Sequence, residues 1–84
     1  MSMIHCTFRG RQYDYNFEDV FVPERFPAIG IPDGMEVTAS SVSEDQVKTA
    51  LAQKFDVGLG EFSDSYVEIN PNGNITVRPD AVFG

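Results

Sequence analysis

The sequence predicts a small single α+β domain over residues 1–84. We expect a mostly antiparallel sheet of four to five strands with one helix packed on one face. Two stretches, residues 3–18 and 67–77, alternate apolar and polar side chains around a turn signal, which is typical of hairpins. Between them an apolar stripe repeats at helical spacing. With 84 residues, 42% of them hydrophobic, the chain has material for one small core.

The first alternating stretch, residues 3–18, is predicted to form a hairpin. A two-residue loop at Gly10-Arg11 suits a type II′ turn, because glycine at the first loop position tolerates positive φ. That loop fixes the strand register, and the apolar and aromatic side chains then share one face. The expected pairs are Phe8 with Tyr13, Cys6 with Tyr15 and Ile4 with Phe17.

Residues 20–34 form an apolar stretch interrupted by three prolines, so a central strand is not expected there. At its end, the residues Pro32, Asp33 and Gly34 resemble a three-residue hairpin loop with glycine in the left-handed region. Such a loop would pair Ile31 with Met35 and Ile29 with Val37. The element before the helix is therefore either a second hairpin or a loop.

A helix is predicted at about residues 44–56. Ser43 is a good N-cap, and Gln46 stands three residues later, as a capping box requires. Gly58 is suited to ending the helix, because glycine takes the left-handed conformation easily. One face carries an apolar stripe at helical spacing, made of Val47, Ala50, Leu51 and Phe55.

The run Asn70-Pro71-Asn72-Gly73-Asn74 suggests either a cation-binding loop or a turn. A calcium loop of the EF-hand kind needs carboxylates and a glycine at the sixth position, and this run has neither. The turn interpretation fits, because proline presets φ and glycine takes the left-handed position. It predicts a hairpin in which Ile69 pairs with Ile75 and Val67 with Val77.

Charge and cysteine content restrict the function classes. The net charge is −7, with only six Lys and Arg, so nucleic acid and anionic membranes are poor partners. The single Cys6 excludes an internal disulfide and a multi-cysteine metal site, and it fits a reducing, cytoplasmic compartment. The longest apolar runs are too short for a membrane span.

The residues of the chain show no catalytic constellation. His5 and Cys6 are neighbours on a predicted strand, so they point to opposite faces and cannot act as a pair. The two groups of acidic residues, at positions 14–19 and 56–64, are predicted to be solvated surface charge rather than an acid–base pair. We therefore predict a protein that is not an enzyme and has no cofactor and no metal.

The order of hairpin, helix and hairpin resembles that of β-grasp (ubiquitin-like) domains over most of the chain. The resemblance lies in the architecture and not in a motif. It implies a carrier or modifier role. Sulfur carriers and protein modifiers of that family end in Gly-Gly, whereas this sequence ends Ala-Val-Phe-Gly, with Gly84 as its single terminal glycine.

The function predicted from these observations is a non-enzymatic interaction or regulatory module that binds another protein or a second copy of itself. The predicted surface is the 20–34 segment, whose prolines reduce the entropy lost on docking. Phe21, Phe26 and Ile29 are the predicted anchors, and Arg25 is a rim contact. In the other interpretation of this segment, it covers the open side of the sheet and completes the core. Self-assembly as a structural protein and a β-grasp carrier role are the alternative functions.

Overall fold

A computed structural model describes residues 2–32 and 34–79 of the chain. The elements are the strands β1 (Met3–Phe8), β2 (Arg11–Asn16), β3 (Ser65–Ile69) and β4 (Ile75–Pro79), the helices α1 (Phe17–Val20), α2 (Phe26–Ile29) and α3 (Glu44–Phe55), and 3₁₀ turns at Pro23–Arg25 and Leu59–Phe62. The predicted small α+β domain with its main helix between two hairpins is confirmed. The expected single helix is wrong, since two one-turn helices precede α3.

The four strands form one sheet in the order β2-β1-β4-β3. Both hairpins are antiparallel, but β1 and β4 pair in parallel at the centre of the sheet, with Ile4 next to Ile75 and Cys6 next to Val77. The sheet is therefore mixed, and the expectation of a mostly antiparallel sheet is only partly met. A parallel pair needs a crossover connection, and the stretch that contains α3 supplies it.

The first hairpin forms, but its predicted register is wrong by two residues. The loop is Arg9-Gly10, with φ values of 52° and 78°, as in a type I′ turn. The structure pairs Phe8 with Arg11, Cys6 with Tyr13 and Ile4 with Tyr15. This register frees Phe17 from the sheet, so it begins α1 and stacks on Phe21 with ring centroids 4.6 Å apart.

Of the two alternatives for the element before α3, the hairpin at Ile29–Val37 does not form among the described residues, because Ile29 ends α2 and residues 34–38 form no strand. The prolines explain the helices: Pro23 and Pro27 lie in the first turn of a 3₁₀ helix and of α2, where no backbone N–H is needed. Gly34 has the expected positive φ of 78°. Asp33, the predicted middle residue of the loop, lies outside the described residues.

Helix α3 begins as predicted. Ser43 Oγ accepts a hydrogen bond from the Gln46 backbone N–H at 3.1 Å, and the Gln46 side chain accepts one from the Ser43 N–H at 2.9 Å. The end differs, because Asp56 and not Gly58 takes the left-handed conformation, with φ of 58°. The predicted stripe is inside: Val47, Ala50 and Leu51 are buried and Phe55 packs on the core.

The second hairpin is confirmed in register, with Ile69 opposite Ile75 and Val67 opposite Val77. Gly73 has φ of 91°, and its N–H donates to the Asn70 carbonyl at 2.9 Å, which closes the turn. One core lies between the inner face of the sheet, α3 and the short helices. Its largest fully buried side chain is Phe62, in the second 3₁₀ turn, whose ring lies 5.0 Å from that of Phe8.

Candidate interaction surface

The structure separates the four predicted binding residues into two pairs. Phe21 and Ile29 are buried, with 3% and 6% of their surface exposed, and both belong to the core. Phe26 and Arg25 are half-buried at its edge. Phe21 and Ile29 therefore complete the core, as the other interpretation of this segment holds, and they do not form an exposed patch. The prediction that this segment docks a partner therefore depends on the other two residues, Arg25 and Phe26.

Arg25 has an unusual environment for a surface arginine. Its guanidinium Nη1 is buried from solvent and has no hydrogen-bond partner among the described residues. The backbone is well held, because the Arg25 N–H donates to the Val22 carbonyl at 2.9 Å. A buried donor without an acceptor costs about 1–3 kcal/mol, and native structures contain few of them. The free protein therefore leaves one strong cationic donor unused at this position.

Phe26 stands next to this donor on a fixed backbone. It begins α2, and its carbonyl accepts hydrogen bonds from the N–H groups of Gly30 and Ile31, the latter at 2.9 Å. Gly30 makes this closure possible because it adopts φ of 88°. The inner part of the Phe26 ring packs on the core, while Pro27 and Ala28 beside it are exposed. We call Arg25, Phe26, Pro27 and Ala28 the Arg25–Phe26 surface.

Large apolar side chains are also exposed elsewhere in the described chain. Met35 is 58% exposed and lines a cleft of about 250 Å³ with Ile31 and Val42. Leu59 is 53% exposed and lines a cleft of about 400 Å³ with Lys48 of α3. Single exposed apolar residues are normal on soluble proteins, so neither cleft alone indicates a ligand.

The outer face of the sheet, which none of the described helices covers, carries a histidine–carboxylate pair. His5 Nδ1 and Asp14 Oδ1 are 2.8 Å apart on adjacent strands. The hydrogen bond from His5 lowers the pKa of Asp14 below its usual range. Sequence reasoning missed this pair because the predicted register put His5 opposite Asn16. A type I′ loop at Arg9-Gly10, with glycine as the second loop residue, would have placed Asp14 opposite His5.

The Asn-rich loop is a turn whose side chains are already engaged. Asn70 Nδ2 donates to Thr76 Oγ1 at 3.3 Å, and Asn72 Oδ1 accepts from the Asn74 N–H at 3.0 Å. Asn74 Oδ1 in turn accepts from the Met3 N–H at 3.0 Å, which ties the loop to β1. A cleft of about 440 Å³ lies between this loop and residues 38–40, and no carboxylate lines it. The loop thus has a structural role in the sheet.

The groups considered for catalysis are kept apart. Cys6 is completely buried, whereas His5 is on the opposite, half-exposed side of β1, as predicted. Burial raises the pKa of the Cys6 thiol to about 11, so it is not a reactive thiolate at neutral pH. Among residues 2–32 and 34–79, no three His, Cys, Asp or Glu side chains come together as a metal site.

Comparisons of the chain with protein-family models, curated proteins and solved structures found no match. None of the helices in the described part of the chain has the length and apolarity needed to cross a bilayer.

Proposed function

We propose that this protein is a non-enzymatic, cytoplasmic interaction module that docks another protein on the Arg25–Phe26 surface. The observation that carries the proposal is the buried and unpartnered Nη1 of Arg25. Because Nη1 has no solvent access in the free protein, the half-exposed Arg25 side chain must turn outward to present it. A partner carboxylate would then accept a charge-assisted hydrogen bond, and such bonds are about twice as strong as neutral ones. The partner residue that fits is therefore Asp, Glu or a chain-terminal carboxylate.

The second contact is the exposed part of Phe26. Aromatic and arginine side chains are the residue types most often found at binding hot spots, and here they are consecutive. The partner chemistry that fits is an apolar side chain next to the carboxylate. A short apolar–acidic segment of another protein has both features.

The backbone of this surface is already ordered before a partner arrives. Pro23 and Pro27 fix φ at the start of two consecutive helical turns, and Gly30 closes the second turn. The buried neighbours Phe21 and Ile29 anchor both ends of the segment in the core. Docking on an ordered segment loses less conformational entropy, which favours binding to a small surface.

The first test is affinity capture from the protein's own source with an N-terminal tag. We compare the wild type with Arg25→Gln and Phe26→Ala, and with two matched controls. Arg78→Gln makes the same charge change on the outer face of the sheet, and Leu59→Ala removes another exposed apolar side chain. A companion protein retained by both controls and reduced at least about tenfold by both variants supports the proposal.

A companion that both surface variants still retain would contradict this docking site. Circular dichroism and thermal unfolding of each variant show whether the loss of binding follows from loss of fold. The half-buried Phe26 ring contributes to the core, so Arg25→Gln is the more informative of the two variants.

Replacement of Arg25 by methionine separates a binding role from a structural one. Because Nη1 is buried without a partner, Arg25→Met removes an unsatisfied donor and keeps most of the apolar stem. We expect the free energy of unfolding to stay the same or to rise by up to about 1 kcal/mol, while capture of the companion is lost. Chemical denaturation measures the first quantity, and a fall of more than about 1 kcal/mol would indicate a structural arginine instead.

The carrier alternative depends on Gly84, which lies outside the described residues. The same capture experiment distinguishes it, because a covalent conjugate survives denaturing electrophoresis and a docked companion does not. The N-terminal position of the tag leaves Gly84 free in that experiment.

A further inference from the structure

The strand β2 lies at one edge of the sheet, and no strand among residues 2–32 and 34–79 covers its outer side. The strand order β2-β1-β4-β3 leaves one side of β2 without a neighbouring strand. Its six residues include no proline, and Arg11, Gln12, Asp14 and Asn16 are exposed. An edge strand that no proline blocks is a site at which another strand can add to the sheet.

The register of the first hairpin shows which backbone groups of β2 face outward. In a two-residue hairpin the pair that flanks the loop, here Phe8 and Arg11, exchanges both backbone hydrogen bonds. Bonded and non-bonded pairs then alternate, so the N–H and C=O groups of Gln12 and Asp14 point away from β1. No other described segment donates to or accepts from them. Gln12 and Asp14 thus offer two N–H groups and two C=O groups to an added strand.

The aromatic side chains next to this edge are only half covered. Tyr13 and Tyr15 lie on the inner side of β2, with their rings 4.9 and 5.9 Å from that of Phe55. Lys54 lies over the Tyr15 ring at 5.1 Å. All three rings are half-buried, and none of the described strands lies beyond β2 to cover their outer side. A strand added at β2 would continue the inner surface of the sheet and bury more of this aromatic group.

The charge distribution favours a second copy at β2 and not at the other edge. The chain carries a net charge of −7, so two copies repel each other at most contacts. On β2 itself the positive charge of Arg11 balances the negative charge of Asp14. The opposite edge strand, β3, carries Glu68 and follows Asp64, both exposed, so two β3 edges would bring together charges of one sign.

We propose that β2 pairs antiparallel with β2 of a second copy, with Tyr13 opposite Tyr13, to form one continuous eight-stranded sheet across the dimer. In this register Gln12 faces Asp14 of the second copy, so their outward backbone groups exchange two hydrogen bonds, twice by symmetry. Arg11 faces Tyr15 of the second copy, which allows a cation–π contact. Of the two neighbouring registers, one would place Asp14 opposite Asp14, which like-charge repulsion disfavours. The other would place Gln12 opposite Gln12 and Asp14 opposite Gly10, which lies in the loop and outside the strand.

The first test is the mass in solution as a function of concentration, measured by analytical ultracentrifugation up to about 1 mM. We expect a reversible shift from 9.3 kDa to twice that mass. Gln12→Pro removes an outward N–H of β2, and by symmetry two of the four hydrogen bonds, so the dissociation constant should rise about tenfold or more. Ser65→Pro is the matched control at the β3 edge and should leave dimerisation unchanged. A monomer at all concentrations, or a dimer lost only with Ser65→Pro, overturns the proposal.

Cysteine cross-linking tests the register without proline variants. With Tyr13 opposite Tyr13 in a non-hydrogen-bonded pair, the two Cα atoms come within disulfide range. Tyr13→Cys should therefore oxidise to a covalent dimer, whereas Asp14→Cys should not. Cys6 is buried and does not compete in the folded protein. A cross-link from Asp14→Cys without one from Tyr13→Cys would assign the Asp14–Asp14 register and overturn the one proposed.

Discussion

Arg9 and Gly10, the two residues of the first turn, both adopt positive φ, and only one of them is glycine. A left-handed conformation costs a non-glycine residue about 1–2 kcal/mol, so Arg9 needs compensating contacts. It has two: its Nη2 donates to Glu61 Oε1 at 2.9 Å, and its guanidinium lies over the Phe8 ring at 4.9 Å. Contacts with a residue far along the chain thus help to fix the register of a local hairpin.

At this scale we expect Gly10→Ala to lower the free energy of unfolding by about 1–2 kcal/mol. The matched control is Gly60→Ala. At both glycines an added Cβ meets nothing within 4 Å, but only Gly10 has positive φ. The control should therefore be neutral or stabilise the protein by up to about 1 kcal/mol, since alanine restricts the unfolded chain. Urea denaturation measures both values, and equal effects of the two variants would contradict the left-handed turn.

The site at residue scale was predictable only in part. The sequence identified Gly10 as a turn residue. It did not show that Gly10 is the second residue of the loop, because the contacts of Arg9 with Glu61 and Phe8 contribute to the position of the loop. The displaced register then hid the pairing of His5 with Asp14. The unpartnered Nη1 of Arg25 was also not predictable, since burial of a single atom depends on the whole fold.

At the scale of elements, local signals decided which predictions were correct. Helix α3 was placed well because its capping box and apolar stripe lie within one stretch of sequence. For the segment before it, the turn-like Pro32 and Gly34 favoured a hairpin, whereas the three prolines favoured a loop. The spacing of Phe17, Val20 and Phe21 is the i, i+3, i+4 pattern of a helix, and it was the missed signal for α1 at the start of this stretch. All three are buried on one side of α1 or at its end.

The cap of α3 provides a prediction at this scale. Ser43→Ala removes the acceptor for the Gln46 N–H and should lower the free energy of unfolding by about 1 kcal/mol. Ser43→Asp keeps an acceptor and adds a negative charge at the helix N-terminus, so it should retain the wild-type value or exceed it slightly. Thermal and chemical unfolding of the three proteins check this order. If Ser43→Asp is as unstable as Ser43→Ala, the hydroxyl has another role.

At the scale of the whole molecule, the sheet order depends on contacts that no local pattern shows. Each hairpin brings together residues that are close in sequence, and each was predicted. The parallel pair of β1 and β4 joins Ile4 to Ile75, and it forms because the inner faces of both strands are needed to cover α3. Alternation of apolar residues marks the buried face of a strand but does not identify its neighbour.

The buried thiol of Cys6 should make global stability fall in alkaline solution. Its pKa is raised from 9.0 to about 11 in the folded protein, so only the unfolded chain gains by losing this proton between those values. The contribution is complete below about pH 9 and decreases by about 2–3 kcal/mol as pH rises to about 11. We expect the difference in free energy of unfolding between wild type and Cys6→Ala to shrink over this range. A constant difference would show that the thiol titrates equally in both states.

The central position of β4 determines when the protein can fold during synthesis. Of the described strands, β4 is translated last, yet it lies between β1 and β3 and completes the sheet. Until it leaves the ribosome, β1 has no partner on one side, and the apolar side chains of α3 have an incomplete surface to cover. The nascent chain therefore carries an unpaired strand edge and uncovered apolar surface until β4 is available. A stop codon before Ile75 should leave a product that is degraded rather than a smaller stable domain.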